Sequence, residues 1–113
     1  MGKPLNELTH LSIHLSNGCS MTAIENGESI DASLGLTPLE GLMMEARSGD
    51  VDQALHAYLS RNCEMDINVI DQMLNKESGL KGMCGLNHMR DIHEAIPDGN
   101  EKAKLALAEN ISQ

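Results

Sequence analysis

Residues 9–33 read THLSIHLSNGCSMTAIENGESIDAS, and the period of this stretch decides the fold. From Thr9 to Ser16 the side chains alternate, with Leu11, Ile13 and Leu15 on one face and Ser12, His14 and Ser16 on the other. That is the two-residue period of a half-buried strand. Asn17-Gly18 supplies the positive-φ turn of a tight hairpin, and Met21 to Glu25 runs back as a second strand. Asn26-Gly27 repeats the signal and leads into Ser29 to Ser33 as a third. The N-terminal part is therefore expected to be a three-stranded antiparallel meander.

Beyond it the period changes. Leu34 to Gly49 carries Gly35, Pro38, Gly41 and Gly49 without a clean repeat, which predicts a structured loop around a helical turn at Leu39 to Met44. Val51, Ala54, Leu55, Tyr58 and Leu59 follow helical spacing with Asp50 as the N-cap. Asp66 is placed to cap a second helix whose stripe is Ile67, Ile70, Met73 and Leu74, ending near Ser78-Gly79. Gly79, Gly82 and Gly85 predict a glycine-spaced loop. A third helix is expected from Asn87 to Ile96, stopped by Pro97-Asp98-Gly99, and a fourth from Asn100 with Glu101 in its first turn. The class is α+β, a meander followed by about four helices, in one domain over residues 1–113.

Composition narrows the function. Seventeen acidic and eight basic residues leave a net charge of −9, which repels a polyphosphate backbone and argues against a nucleic-acid partner. Trp and Phe are absent and Tyr58 is the single aromatic, so base-stacking platforms lack their material. Apolar runs fall well short of the ~20 residues that span a bilayer, and Met-Gly-Lys-Pro has no signal-peptide core. Cys19, Cys63 and Cys84 form no C-x-x-C pair, which fits reduced thiols in the cytoplasm better than disulfides or zinc. A core of Leu, Ile, Ala and Met predicts limited stability.

The residues alone leave their chemistry open. Asn17-Gly18, Leu34-Gly35 and Gly79-Leu80-Lys81-Gly82 are glycine turns whose N–H groups could cradle phosphate, but neither a Walker A sequence nor G-x-G-x-x-G is present, and plain turns are the commoner case. Arg47, in Ala46-Arg47-Ser48-Gly49-Asp50, could stabilise phosphoryl oxygens, or could form a surface pair with Asp50 or Asp52. His14 could donate to a phosphate. It shares a strand face with His10, but about 13 Å of extended chain separates them, too far for one metal ion, and no metal site is expected.

Several blocks resemble the acetokinase family, the acetate and propionate kinases of the sugar kinase, Hsp70 and actin superfamily. They are His14-Leu15-Ser16-Asn17-Gly18, Asp31 to Met44 with its Thr-Pro-Leu-Glu-Gly-Leu-Met-Met run, Arg47-Ser48-Gly49-Asp50-Val51-Asp52, Asn75 to Leu80, Met89-Arg90-Asp91 and Asn100 to Leu107. The resemblance runs from residue 2 to about 107 in family order. It implies part of an actin-like ATPase domain and a kinase that moves the γ-phosphoryl group of ATP, with Mg²⁺, to acetate, propionate or another short carboxylate. It also implies a role for each block: His14, Asn17 and Gly18 in a phosphate-binding hairpin, Arg47 as the catalytic arginine, Met89 and Arg90 in a nucleotide-contacting loop.

The blocks also depart from the family pattern. Ser16 replaces the middle glycine of His-Leu-Gly-Asn-Gly. Glu45-Ala46 replaces Gly-Thr ahead of Arg47, which is expected to bring a carboxylate against the guanidinium. Asn87-His88 shortens the nucleotide loop by one residue and removes its aspartate. Family members are several times longer and close a cleft between two domains. The resemblance therefore implies a truncated first part of the C-terminal domain, inactive alone. The alternative is a non-catalytic partner or decayed remnant of a split kinase, self-associating or pairing with kinase fragments.

Overall fold

The computed structural model describes residues 2–86 and 88–112. Among the described residues, after a 3-10 turn at Leu5–Glu7 come three strands, β1 (Thr9–Leu15), β2 (Cys19–Glu25) and β3 (Glu28–Ala32), then five helices. These are α1 (Ala54–Asn62), α2 (Ile67–Lys76), α3 (Gly79–Cys84), α4 (Met89–Ala95) and α5 (Glu101–Ser112). The sheet is the expected meander, antiparallel in the order β1-β2-β3. Leu15 faces Cys19 and Thr9 faces Glu25, so β2 begins two residues before its predicted start. A bulge at Ala23/Ile24 shifts the β2–β3 register.

The two Asn-Gly turns are built differently. Asn26 and Gly27 have φ of 52° and 82°, the doubly positive pattern that matches strand twist in a two-residue turn. Asn17 and Gly18 are not among the positive-φ residues. Three residues, Ser16 to Gly18, make that connection, closed by the Ser16 N–H donating to the Gly18 carbonyl at 2.9 Å.

The predicted helical turn at Leu39–Met44 does not form. Gly41 has φ of 103°, and its hydrogen bonds run across the loop: its N–H donates to Asp50 Oδ1 at 2.8 Å and its carbonyl accepts from Asp50 N–H at 2.9 Å. Asp50 is thereby taken out of capping, and Asp52 accepts from Ala54 N–H at the start of α1 (2.8 Å) instead. Asp66 caps α2 as expected, accepting from Val69 N–H at 3.0 Å, and Asn100 caps α5 through Ala103 N–H at 3.0 Å. The third predicted helix lies at Met89–Ala95; its predicted first residue, Asn87, lies outside the described residues.

The glycine-spaced loop at 79–85 is helix α3, ended by Gly85 in the left-handed conformation (φ 75°). Loop carbonyls explain the helix. Leu80 N–H donates to the Met44 carbonyl at 3.1 Å and Lys81 N–H to that of Glu45 at 2.9 Å, so first-turn donors that a helix cannot satisfy internally are taken by the 44–45 segment.

The core lies in the helices. Leu80, Ile92, Ala103 and Ala106 are fully or almost fully buried, with Met43, Met83, Met89 and Leu107 packed against them. Met44, Ile70 and Leu74 are the other buried hydrophobics. The predicted buried face of β1 is open instead: Leu11, Ile13 and Leu15 are 56%, 55% and 76% exposed. α3, α4 and α5 bury their stripes on one another and leave that face without a covering layer among the described residues. The chain is a slab of 54 × 39 × 17 Å with a radius of gyration of 17.2 Å, against about 13 Å for a compact domain of this length. Its surface of 7991 Å² exceeds the roughly 6,100 Å² of a folded monomer of 12.2 kDa.

Candidate functional site

The segment 44–48 is a small platform fixed by its backbone. Met44 N–H donates to the Arg47 carbonyl at 3.1 Å, closing a turn; Ser48 N–H donates to the Leu74 carbonyl and Ser78 N–H to that of Ala46, both at 2.9 Å. α2 and α3 thus hold the platform from below. Gly79 is required there: its φ is 59°, and a Cβ would strike the carbonyl oxygens of Met44 and Arg47. The close approach that its glycine permits is therefore to this chain's own backbone.

Met44, 4% exposed, joins two of the sequence blocks. Its Sδ accepts from Arg47 Nη1 at 3.9 Å and lies 3.9 Å from where a Gly18 side chain would begin. That is ordinary van der Waals contact, and nothing else lies within 4 Å of that position. With no positive φ and no clash, nothing in the fold itself demands glycine at 18.

A cleft of about 500 Å³ opens beside this junction, lined by the β1–β2 turn (Leu15, Ser16, Asn17, Cys19), the platform (Met43, Met44, Glu45), Leu80, the start and middle of α4 (His88, Met89, His93) and the end of α5 (Leu107, Asn110, Ile111). Of the sequence-predicted residues, Asn17 and Met89 line it, and Gly18 and Arg47 adjoin it through Met44. His14 and Arg90 are not brought in. His14 pairs with Ser20 on the face of β1 opposite Leu15, and Arg90 is exposed on α4.

Glu45 behaves otherwise than expected. Its carboxylate meets His88 Nδ1 at 2.5 Å, while Arg47 turns to the Met44 sulfur. His88, just ahead of α4, thus engages the carboxylate that the sequence places two residues from the guanidinium. These two residues are far apart in sequence and share no spacing signal, so reading the chain alone did not pair them. Cys19, also at the cleft, has its thiol pKa raised by burial. Among the described residues no group of three or more His, Cys, Asp or Glu is arranged to hold a metal, and no helix is long and apolar enough to cross a membrane.

The meander followed by helices is part of an actin-like ATPase domain, as solved structures of that fold show. Porphyromonas gingivalis acetate kinase superposes with a TM-score of 0.90 at 40% identity, covering 93% of this chain and 27% of that one. A propionate kinase from Francisella tularensis gives 0.86 at 48% identity, covering 88% and 26%. In sequence, the acetate kinase of Lawsonia intracellularis is 56% identical over 107 residues, 95% of this chain and 26% of the relative. That of Desulfotalea psychrophila is 59% identical over 105 residues, 93% and 26%. The Acetokinase family model matches residues 1–113, and the chain belongs to that family. It spans about a quarter of the length of these relatives.

Proposed function

We propose that the chain is the phosphate-facing portion of an ATP:carboxylate phosphotransferase, a partial domain that does not turn over substrate alone. In the reaction, a carboxylate oxygen attacks the γ-phosphorus, the bond to the β-phosphate oxygen breaks, and acyl phosphate and ADP leave. Such transfers ask chiefly for positioning and for cationic stabilisation of the equatorial oxygens. Arg47 is the cation, Asn17-Gly18 the close-approach turn and Met89 the nucleotide contact, while His14 and Arg90 lie away from the cleft. Magnesium, when bound, would supply charge neutralisation to the phosphates. Among the described residues no group of three or more His, Cys, Asp or Glu is arranged to hold it.

The observation that carries this reading is the Met44 junction: a turn and an arginine from separate sequence blocks share one buried methionine. The glycine at 18, unneeded by the fold, is accounted for by a ligand that must come close. The relatives include an acetate kinase and a propionate kinase.

The test is an amide NMR titration with Mg-ATP, with inorganic triphosphate and adenosine as separate arms. Expected are shifts at Asn17, Gly18, Arg47 and Met89 with ATP, retained at the first three with triphosphate and lost at all four in Arg47→Ala. Shifts confined to other residues, or unchanged in Arg47→Ala, overturn the assignment. A hydroxamate assay of the purified chain with ATP, magnesium and acetate or propionate is expected to give only background.

A further inference from the structure

Arg47 stands on a loop that one residue closes at its neck. Gly41 N–H donates to Asp50 Oδ1 at 2.8 Å, and Asp50 N–H donates to the Gly41 carbonyl at 2.9 Å. Backbone groups in a loop have no ladder partner and need a side chain or water instead; here the Asp50 carboxylate supplies it. The closure is tight. A Cβ on Gly49 would strike the Gly41 carbonyl oxygen and the Met43 nitrogen, so residues 41–43 lie directly against the returning chain. Inside the closed loop, Met44 N–H donates to the Arg47 carbonyl at 3.1 Å. The clamp and the turn that carries Arg47 are therefore nested, one within the other.

The same neck reaches the sheet. A Cβ on Gly41 would strike the Ser33 carbonyl, and Ser33 is tied to β2 twice: its N–H donates to the Met21 carbonyl at 2.9 Å and its Oγ accepts from Met21 N–H at 3.0 Å. β2 in turn leads back to the turn that carries Asn17 and Gly18. On its other side the loop is bonded to Leu74 of α2 and to Ser78 ahead of α3. The neck thus links the platform held by the helices to the turn held by the sheet. Met44 and Gly18 also meet, in van der Waals contact, which lacks the directionality of a hydrogen bond.

We propose that Asp50 is a positioning residue: as hydrogen-bond acceptor for Gly41, its carboxylate sets the register of Arg47 against the Asn17-Gly18 turn. The proposal rests on the reading of Arg47 and that turn as a phosphate site. Asp50 acts there by its oxygen and not by its charge. A carboxylate three residues from the phosphate-binding guanidinium repels the ligand, so its contribution is the bond that closes the neck. Oδ1 makes that bond, and asparagine carries the same acceptor oxygen without the charge. Acceptor and charge can therefore be separated at this one position.

The test compares Asp50→Ala, Asp50→Asn and Asp52→Ala by NMR. Asp52 is the control: its carboxylate accepts from Ala54 N–H at 2.8 Å, so Asp52→Ala removes the same charge and a similar bond outside the neck. Without ligand, Asp50→Ala is expected to speed amide exchange at Met44 about tenfold and to weaken the nuclear Overhauser contact between the Met44 side chain and Gly18. Asp50→Asn and Asp52→Ala are expected to leave both unchanged, and all three to leave exchange at the buried Ile92 and Ala106 unchanged. With inorganic triphosphate, Asp50→Ala is expected to raise Kd about tenfold although it removes a negative charge, and Asp50→Asn not to raise it. The proposal is overturned if Asp50→Ala leaves Met44 exchange and the Gly18 contact as they were, or binds triphosphate at least as tightly as the unsubstituted chain. It is overturned equally if Asp50→Asn behaves like Asp50→Ala, if Asp52→Ala reproduces the loss, or if Asp50→Ala strips protection from Ile92, which would make the clamp a determinant of the whole fold. If the unsubstituted chain binds no triphosphate, the phosphate reading of Arg47 fails, and the ligand-free exchange and contact still decide the role of Asp50.

Discussion

The helical half and the sheet half of this chain use apolar residues in opposite ways. In the helices, Ile92, Ala103 and Ala106 reach zero exposure because α3, α4 and α5 each turn a stripe onto the others, and helix ends are satisfied by Asp66, Asn100 and the 44–45 carbonyls. In the sheet, Leu11, Ile13, Leu15 and Ile30 are all more than half exposed. A helical cluster can close on itself, whereas a sheet hides a face only beneath another layer. Stability is therefore concentrated in residues 70–107, and the strands contribute little until something covers them.

The largest effect that tests this contrast is at Ile92. Ile92→Ala removes a side chain of zero exposure and is expected to cost about 2–5 kcal/mol, a large fraction of what holds a small domain folded. Ile13→Ala, measured in dilute solution, is expected to stay within about 0.5 kcal/mol. Urea unfolding of both variants decides it; equal losses would mean that β1 is buried in solution to a degree the slab does not provide.

The glycines sharpen the same contrast. Gly79→Ala puts a Cβ against two carbonyls at a positive φ and is expected to cost about 1–3 kcal/mol, lowering the melting temperature and loosening the Arg47 platform with it. Gly18→Ala, whose Cβ meets only the Met44 sulfur at 3.9 Å, is expected to leave stability within about 0.5 kcal/mol while abolishing the ATP-dependent shifts. Destabilisation by both would place Gly18 among the structural glycines.

Local signals were the legible ones. Alternation and the two Asn-Gly pairs gave the meander, and Asp66 and Asn100 marked real helix starts because a cap acts within three residues of itself. What failed depended on distant partners. The 79–85 glycines look like a loop until the carbonyls of Met44 and Glu45 supply acceptors for α3. Asp50 looks like a helix cap until it is seen bound to Gly41. The face of β1 was correctly drawn and wrongly assigned to the interior, because periodicity says which residues share a face and not whether a layer lies over it. In the site, the family blocks named Arg47 and the turn, but nothing local pointed to Met44 as their junction or to His88 as the partner of Glu45.

Thiol reactivity separates the two halves more gently. Burial pushes the Cys19 thiol upward, so its neutral form persists to higher pH than that of an exposed cysteine, and thiolate is the nucleophile. Iodoacetamide at pH 8 is expected to modify Cys63, exposed beyond α1, before Cys19. Because the raised thiol favours the folded state only while protonated, that contribution is present below pH 9 and fades as pH rises through the folded value. Reversal of the alkylation order would show that the β2 end of the cleft is open.

The smallest expected effect is at Glu45 and His88. The His88 side chain is 56% exposed and that of Glu45 16%, and ion pairs that water still reaches contribute up to about 1 kcal/mol, screened by salt. A double-mutant cycle of Glu45→Ala and His88→Ala is expected to give a coupling below about 1 kcal/mol that shrinks at high salt. Its consequence lies in the site. Held by His88, the Glu45 carboxylate is drawn away from Arg47, so the substitution at 45 does less damage than its position two residues from the guanidinium suggests. With residues 10–107 grafted into an intact acetate kinase and the one-residue loop deletion repaired, Ser16→Gly is expected to raise kcat more than Glu45→Gly, because the side chain at 16 stands on the turn itself. Adding His88→Ala frees the carboxylate, and Glu45→Gly is then expected to become the stronger reversion. If Glu45→Gly is the stronger reversion with His88 present, the carboxylate acts on Arg47 despite the pair, and the imidazole does not shield it.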